Sequence, residues 1–338
     1  FKKTILVTGA AGSIGSEIVR QLLKFSPKEI ILFDNNENSL FNIKKELENK
    51  KSKTNFHYLL KSVTDLNSVE FCFSKFKIDV VFHAAAYKHV YMTENMPQAT
   101  IINNILGTKN VIDTAINRGV STFVFVSTDK AVNPSNIMGA TKRIAEMYVS
   151  GISSENKTKI ITTRFGNVLG SNGSVVPIFQ GQIAKGGPIT VTHPKVTRFF
   201  MTITEACQLV LEAGATGNHG EIYVFDMGKP VKIIDLAINM IRLSGLIENE
   251  DIEIKFSGLN EGEKLYEELL TDQENLKKSH NKLIFIADKE KIDISVKTMI
   301  LQLIADASNS KSTRSLVSSI KNIVPEFKST NSNYKKLK

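Results

Sequence analysis

Cysteine is nearly missing from the 338 residues: Cys72 and Cys207 are the whole supply. Two thiols cannot build a disulfide framework, so a reducing compartment is expected and both read as small buried hydrophobes. No run approaches the ~18 apolar residues of a membrane span, and no signal peptide is visible. Histidine and cysteine are not clustered at metal-ligand spacing, so no metal is expected. There is no helix-turn-helix, zinc finger or RNP-like segment, which argues against a nucleic-acid partner. No internal repeat is visible either. The remaining composition, 42% hydrophobic and 23% charged, fits a soluble globular protein long for a single domain. The net charge of +9 is partly terminal, carried by Lys2, Lys3, Lys328, Lys335, Lys336 and Lys338. Such an end can approach an anionic surface, but the Ser329–Asn333 stretch reads as a solvated tail. The chain opens on Phe1 and not Met, and reads as a processed or excised piece.

The organising stretch is Lys3 to Glu17. A β-branched, apolar run leads into Gly9, Gly12 and Gly15 at GxxGxxG spacing, and the amphipathic segment Ile18–Leu23 follows at once. That order is strand, tight turn, helix. Gly9 makes the turn, Gly12 lets a pyrophosphate approach the backbone, and Gly15 lets helix and strand pack closely, with the helix N-terminus facing the phosphates. Ile30–Phe33 reads as the next strand and ends at Asp34, 19 residues beyond Gly15. An acid there meets the ribose hydroxyls of NAD and repels the extra phosphate of NADP. The competing role for Asp34 is the N-cap of the following helix.

A third strand, Phe56–Leu60, leads to Ser62-Val63-Thr64-Asp65, where an adenine would lie. A fourth, from Asp79, runs into Ala84-Ala85-Ala86, whose small side chains admit a flat ligand. His83 reads as a packed strand-end residue. Lys88, just past that end, is a candidate sugar or phosphate contact. Pro97–Arg118 has a long helical pattern, Thr122–Val126 is a strand ending in Ser127-Thr128-Asp129-Lys130, Ile137–Val149 is a helix, and Lys159–Arg164 is a sixth strand. Alternation of this kind gives an α/β fold, a Rossmann-type doubly wound, mainly parallel sheet with a smaller C-terminal substrate-binding region. Residues 1–166 are expected to hold the dinucleotide, with parts of 201–225 joining that core. Residues 167–290 are expected to bind mainly substrate, and 291–338 to form C-terminal helices and a basic tail. The helices at 97–118 and 137–150 are the natural candidates for a homo-oligomer interface.

The glycine turn, the strand-end Ser127-Thr128-Asp129-Lys130 and Lys142 on the next helix resemble the extended short-chain dehydrogenase/reductase superfamily. Its Tyr-x-x-x-Lys pair would fall on Met138 and Lys142, one turn apart on one helix face. Met138 replaces the tyrosine, and a thioether is neither acid nor base. Two conclusions stay open: a relative that only binds NAD, or a branch with another proton carrier. His83–Val90, Thr128-Asp129-Lys130, Arg164–Ser171, Thr197–Thr202 and Gly262–Leu269 together are similar to the long, membrane-anchored bacterial UDP-N-acetylglucosamine 4,6-dehydratases of N-glycan and O-antigen synthesis, over about residues 3–290. Methionine at the tyrosine position is typical of that branch.

The resemblance implies a catalytic NAD, a UDP-sugar substrate, retention at C5, and a homo-oligomer of at least two copies. It also implies N-terminal membrane helices outside this sequence. The fragment would then be soluble and cytoplasmic, and the whole protein would sit at the cytoplasmic face of the bacterial inner membrane. Expected cofactor contacts are Gly9, Gly12, Ser13, Ile14, Gly15, Asp34, Ser62, Val63, Ala84, Ala85, Ala86, Asn104, Ser127 and Lys142. By the same resemblance Lys130 is the C5 base, Asp129 the acid for the C6 hydroxyl, and Thr128 with Asp129 the relay that replaces the tyrosine. Met138 is left with packing alone. A base must be neutral when it acts, so the Lys130 pKa is expected to be depressed. Asn167, Arg198 and Glu263 are carried over as UDP-sugar contacts. Arg198 could equally be structural, and Glu263 could equally start a helix. A nucleotide-sugar 4-epimerase, a C5-inverting dehydratase and a non-catalytic NAD-binding protein are the rival readings.

Overall fold

Thr4–Thr8 (β1) is buried along its whole length, as a parallel strand covered on both faces must be. In the computed structural model, which describes residues 2–152, 157–269, 276–287 and 292–337, it opens a regular alternation. Phe1, Lys338 and the boundary placed between 290 and 291 lie outside the described residues. Ser13–Leu22 (α1), Glu29–Asp34 (β2), Glu37–Glu48 (α2), Asn55–Leu60 (β3), Leu66–Lys75 (α3) and Val80–His83 (β4) follow in turn. Val90–Asn95 (α4) and Pro97–Ile101 (α5) lead through a π-helical turn, Ile102–Leu106, into Gly107–Asn117 (α6). Thr122–Val126 (β5), a 3₁₀ turn at Asp129–Ala131, Ile137–Ser150 (α7) and Lys159–Arg164 (β6) complete the first half.

The second half is less regular. Asn167–Leu169 (β7), Val175–Ala184 (α8), Ile189–Val191 (β8), Thr197–Arg198 (β9) and Phe200–Thr202 (β10) precede Ile203–Thr216 (α9) and Ile222–Phe225 (β11). Val231–Lys232 (β12), Ile233–Leu243 (α10), Ile254–Phe256 (β13), Leu276–Lys278 (β14), Ile284–Ala287 (β15), Ile294–Ser308 (α11) and Thr313–Ile323 (α12) end the chain.

The main sheet has nine strands in the order β14-β15-β11-β6-β5-β4-β1-β2-β3. From β3 to β11 every pairing is parallel, and β15 and β14 add an antiparallel edge. Sequence periodicity predicts five or six of these strands. The rest are short and lie among 222–287. The order reverses between β1 and β4, where Thr8 pairs with His83, and ligands of such sheets bind beyond the strand ends at that point. Alternate residues feed opposite faces. Leu6, Ile31 and Phe33 join the core under α3, α7, α11 and α12. Ile5, Val7, Ile30 and Leu32 join the core under α1, α2 and α9. A separate small core, built from Phe179, Ile189, Val191, Val196, Ile233, Ala237, Ile241 and Ile252, supports the substructure above the sheet edge. Among the described residues no helix is long and apolar enough to cross a membrane.

Two expectations are corrected here. The helices at 97–118 and 137–150 are not a wholly open face, because α11 and α12 cover α5, the π-helical turn and part of α7: Ile300, Leu303, Leu316 and Ile320 share one buried cluster with Ile101, Ile105 and Ile144, and Gln98 Nε2 donates to Ala307 O at 2.8 Å. The Ser/Asn-rich tail is only partly solvated: Thr330, Ser332 and Asn333 are exposed, but it is anchored through its other residues. Ser329, Asn331 and Tyr334 are buried. Its backbone N–H groups at Lys328 and Thr330 donate to Pro134 O and Ser135 O at 3.0 and 3.1 Å. Asn331 Nδ2 and Tyr334 OH donate to Glu94 Oε2 and Glu94 O at 2.7 and 3.0 Å. Glu94 in turn accepts from Ile137 N, the first residue of α7, at 2.6 Å. Asn331 thus helps satisfy a buried acid, which periodicity cannot reveal.

Candidate active site

The turn after β1 is built by contacts a side chain would forbid. Gly9 has φ +64°, and a Cβ there would lie 2.7 Å from Ala85 N. A Cβ on Gly15 would lie 2.1 Å from Gly9 O, so α1 packs directly on the turn. Gly12 caps α1 without a side-chain acceptor, and Ser13, Ile14 and Gly15 line the cleft beside it. A helix N-terminus in that condition offers N–H groups to an anion. Asp34 stands at the end of β2 and lines the same cleft. Its Oδ2 accepts from Ala11 N and its Oδ1 from Asn36 N, both at 2.9 Å. The N-cap of α2 is Asn36, whose Oδ1 accepts from Ser39 N, so the capping role considered for Asp34 falls to another residue.

Across the turn, Ala84, Ala85 and Ala86 line the cleft, as do Val63 and Ser127. Ser62 does not; its hydroxyl pairs with Thr64 Oγ1 at 2.8 Å. Asn104, expected to touch the cofactor, is fully buried. It donates to Tyr87 O and Thr141 Oγ1 at 3.1 Å each, and accepts from Tyr87 N at 2.8 Å and Asn103 Nδ2 at 3.1 Å. All its bonding capacity is used, so Asn104 fixes the loop after β4 and touches no ligand. The π-helical turn that carries it is the kind of local irregularity found at functional sites. His83 bonds to Thr8 Oγ1 and Thr108 Oγ1 at 2.7 and 3.0 Å. Burial first, then the Lys142 charge, lowers its pKa to about 3, and it is a neutral packed residue. Cys72 and Cys207 are likewise buried, and burial raises the Cys72 pKa to about 12.

The titratable cluster forms where β5 ends. Thr128 Oγ1 donates to Asp129 Oδ1 at 2.9 Å. Lys130 Nζ donates to Asp129 Oδ1 and to Asn167 Oδ1, both at 3.0 Å, and lies 3.7 Å from Glu267 Oε1. Thr128 and Lys130 line the cleft, while Asp129 is fully buried behind them. Met138 and Lys142 both reach the cleft from α7. Gly139 lets that helix approach, since a Cβ there would lie 2.1 Å from Lys130 O. Lys142 Nζ donates to Val126 O at 2.7 Å and sits 4.0 Å from the Phe125 ring centroid. Burial lowers its pKa to about 7, with Glu146 opposing. Glu146 is itself held charged by Arg164 at 2.7–2.8 Å.

The depressed pKa expected for Lys130 is not found. Burial acts to lower it, but the carboxylates of Asp129 and Glu267 outweigh burial and the Arg198 charge, and the net shift is upward. Lys88 lines the cleft mouth; burial and the Lys130 charge lower its pKa. Arg198 Nη2 donates to Glu263 Oε1 at 3.0 Å, and Glu263 also accepts from Thr192 Oγ1 at 2.9 Å. Glu263 opens no helix; it orients the guanidinium. Glu267 and Gly139 were not singled out from the sequence. Glu267 lies in the quoted Gly262–Leu269 stretch, but nothing local distinguishes it from Glu263 or Glu268.

These groups share one cleft of about 1230 Å³ that runs from Asp34 to Arg198, enough for a dinucleotide and a second ligand end to end. A cleft spanning the switch point, with a titratable cluster after the central strand, defines a domain of the extended short-chain dehydrogenase/reductase superfamily, of the nucleotide-sugar dehydratase/epimerase type. Within it the chain belongs to the polysaccharide biosynthesis protein family, whose model matches residues 5–289. It is 52% identical over 317 residues to the capsular polysaccharide biosynthesis protein CapD of Staphylococcus aureus, covering 93% of this chain and 52% of CapD. It is 36% identical to the UDP-glucose 4-epimerase of Rickettsia rickettsii, covering 81% of this chain and 80% of that protein. Among solved structures, Pen from Bacillus thuringiensis superposes with a TM-score of 0.78 at 35% identity, over 85% of this chain and 87% of that one. The UDP-glucose 4-epimerase of Thermus thermophilus, in complex with NAD, superposes with a TM-score of 0.65 at 24% identity, over 77% and 88%, and shares the fold. The chain thus spans about half the length of CapD.

Proposed function

We propose that this domain is an NAD-dependent UDP-N-acetylglucosamine 4,6-dehydratase that retains configuration at C5. The observation that carries the reading is the Thr128–Asp129–Lys130 cluster beside Met138 at the mouth of a dinucleotide cleft. The cleft fits NAD on its own geometry. Gly9 and Gly15 admit no Cβ, the α1 N-terminus has no side-chain cap, and the Asp34 carboxylate is fixed by two backbone N–H groups. In the division of labour proposed, residues 1–166 with parts of 201–225 hold NAD, and 167–290 mainly hold the sugar nucleotide.

When bound, NAD supplies reversible hydride transfer. The chain's own residues manage the protons. Thr128 takes the proton of the C4 hydroxyl and passes it to Asp129, 2.9 Å away. With C4 a ketone, the C5 proton is acidic, and Lys130 removes it as a general base. Asp129 has an oxygen, Oδ2, buried without a partner among the described residues, where the proton for the departing C6 hydroxyl can be held. Lys142 positions the ribose. Arg198, oriented by Glu263, binds the diphosphate, for which a guanidinium's paired donors are suited. Lys88 and Asn167 complete the sugar contacts. Homo-oligomerisation stays part of the proposal, with a second copy meeting a face other than the one that α11 and α12 cover.

A 4-epimerase is the second reading, favoured by the similarity to the Rickettsia rickettsii enzyme. Epimerisation needs no acid/base pair beyond the hydroxyl site, so it leaves Asp129 and Lys130 without work. Incubation with UDP-N-acetylglucosamine in D2O, followed by NMR, separates the readings. A 4-keto-6-deoxy sugar with deuterium at C5 supports dehydration. UDP-N-acetylgalactosamine means epimerisation, inverted C5 means the other dehydratase branch, and unchanged sugar with retained NAD means a binding protein. Lys130→Met is expected to abolish water loss.

A further inference from the structure

Resting on the dehydratase reading, we infer that Glu267 is a positioning residue that takes the Lys130 ammonium's proton and so leaves Lys130 Nζ neutral to act as the base. Lys130 poses a problem that the catalytic residues alone do not solve. A base must enter the reaction with a free electron pair, yet Nζ lies between two carboxylates, 3.0 Å from Asp129 Oδ1 and 3.7 Å from Glu267 Oε1. Both acids are shut away from water: the Asp129 side chain is 0% exposed and that of Glu267 3%. Among the described residues each also keeps one oxygen without a hydrogen-bond partner, Asp129 Oδ2 and Glu267 Oε2. A buried carboxylate oxygen left unpaired costs heavily as an anion and little as a carboxylic acid.

Glu267 is the better proton acceptor of the two. Asp129 Oδ1 already accepts from Thr128 and Lys130. Among the described residues Glu267 is held by longer contacts, to Lys130 at 3.7 Å and to Arg198 Nε at 3.8 Å. Its pKa is raised by burial and then by Asp129, while Lys130, Arg198 and Lys264 oppose. The charged groups around the pair are therefore Asp129, Arg198 and Lys264, with Lys88 acting on Lys130 from the loop after β4. At 3.7 Å the two groups form an ion pair and not a hydrogen bond, so they must close by about 1 Å or somewhat less before the transfer; one Nζ–H bond then breaks, its electron pair stays on nitrogen, and one O–H bond forms on Glu267. The pair passes from two opposite charges to none, which a low-dielectric site favours. A diphosphate that engages Arg198 draws away one of the cations that keep Glu267 ionised, so substrate binding promotes the transfer.

Two measurements on the full chain test this. The first needs no turnover: Lys130 acylation followed by peptide mass spectrometry across pH. In the free protein, before substrate promotes the transfer, Glu267 is the anion that faces the Lys130 ammonium, so Glu267→Gln should lower the Lys130 midpoint by about one pH unit or more. An unmoved midpoint overturns the proposal whether or not any sugar reacts. The second is single-turnover exchange of the C5 proton of UDP-N-acetylglucosamine in D2O, between pH 7 and 9. With the transfer internal, the native rate is flat over this range. In Glu267→Gln the proton must leave to solvent, and the rate should climb about tenfold per pH unit. Glu267→Asp should restore the flat profile. A flat profile in Glu267→Gln, at whatever height, overturns the inference, since a merely structural loss scales the rate equally at every pH. If the native protein exchanges no C5 proton, the dehydratase reading fails, and the labelling midpoint alone judges the pair.

Discussion

Lys142→Met should stabilise the fold at neutral pH, and the gain should shrink as pH rises. Lys142 is buried on α7, with its Nζ bonded to Val126 O. Burial lowers its pKa from an ordinary 10.5 to about 7. Between those two values the unfolded chain holds the proton and the folded chain has released it. The unfolded state then binds more protons, so stability rises with pH. At about 1.36 kcal/mol per pKa unit, keeping Lys142 costs roughly 4–5 kcal/mol at pH 7 and below. From pH 7 to 9 roughly 2 kcal/mol of that cost is relieved. Methionine has similar length and no charge. It forfeits the hydrogen bond to Val126 O, about 1.5–3 kcal/mol when the donor is charged, and the contact with Phe125. The absolute gain is therefore smaller than the charge cost, but the change in the gain between pH 7 and 9 is free of those losses. Urea unfolding of both proteins at the two pH values, with equal slopes, measures it. A difference between the proteins that stays constant from pH 7 to 9 refutes a lowered Lys142 pKa.

Three further outcomes are expected. Asp34→Ala should weaken NAD binding by roughly 10–100-fold, the worth of a charge-assisted bond to the ribose, and should narrow the preference over NADP; calorimetric titration with both dinucleotides reads this, and an unchanged preference counts against Asp34. Gly139→Ala forces a methyl to within 2.1 Å of Lys130 O, so it should cost about 1–3 kcal/mol and depress turnover; native stability in urea would show that the helix can give way. Asn331→Ala removes a donor from the buried Glu94 and should cost about 1–3 kcal/mol at pH 7, with a normal urea midpoint meaning that the tail is dispensable.

Much of the nucleotide half was legible because its signals are local. Gly9, Gly12, Gly15 and Asp34 declare themselves by spacing, and the strand ends at His83 and Val126 by runs of buried β-branched and aromatic residues. The Thr128-Asp129-Lys130 cluster was legible for the same reason: its members are adjacent. What stayed hidden is what the fold assembles from far apart. Glu267 meets Lys130 across 137 positions, and no pattern within its own stretch marks it. Against burial, the raised pKa of Lys130 comes first from the adjacent Asp129 and then from this meeting. Asn104 reads as a cofactor contact, yet its four bonds are all to protein. The tail shows the converse, since Asn331 looks solvated within its run of Ser and Asn until the acid it serves, Glu94, is seen beside it.

In the proposed dehydration a hydride leaves C4 of the sugar and returns at C6 while Lys130 works on C5. UDP-N-acetylglucosamine carrying deuterium at C4, turned over in ordinary water and read by NMR, tests it most directly. The expected result is a 4-keto product with the C4 deuterium now at C6. Deuterium still at C4, in unchanged or epimerised sugar, would contradict it.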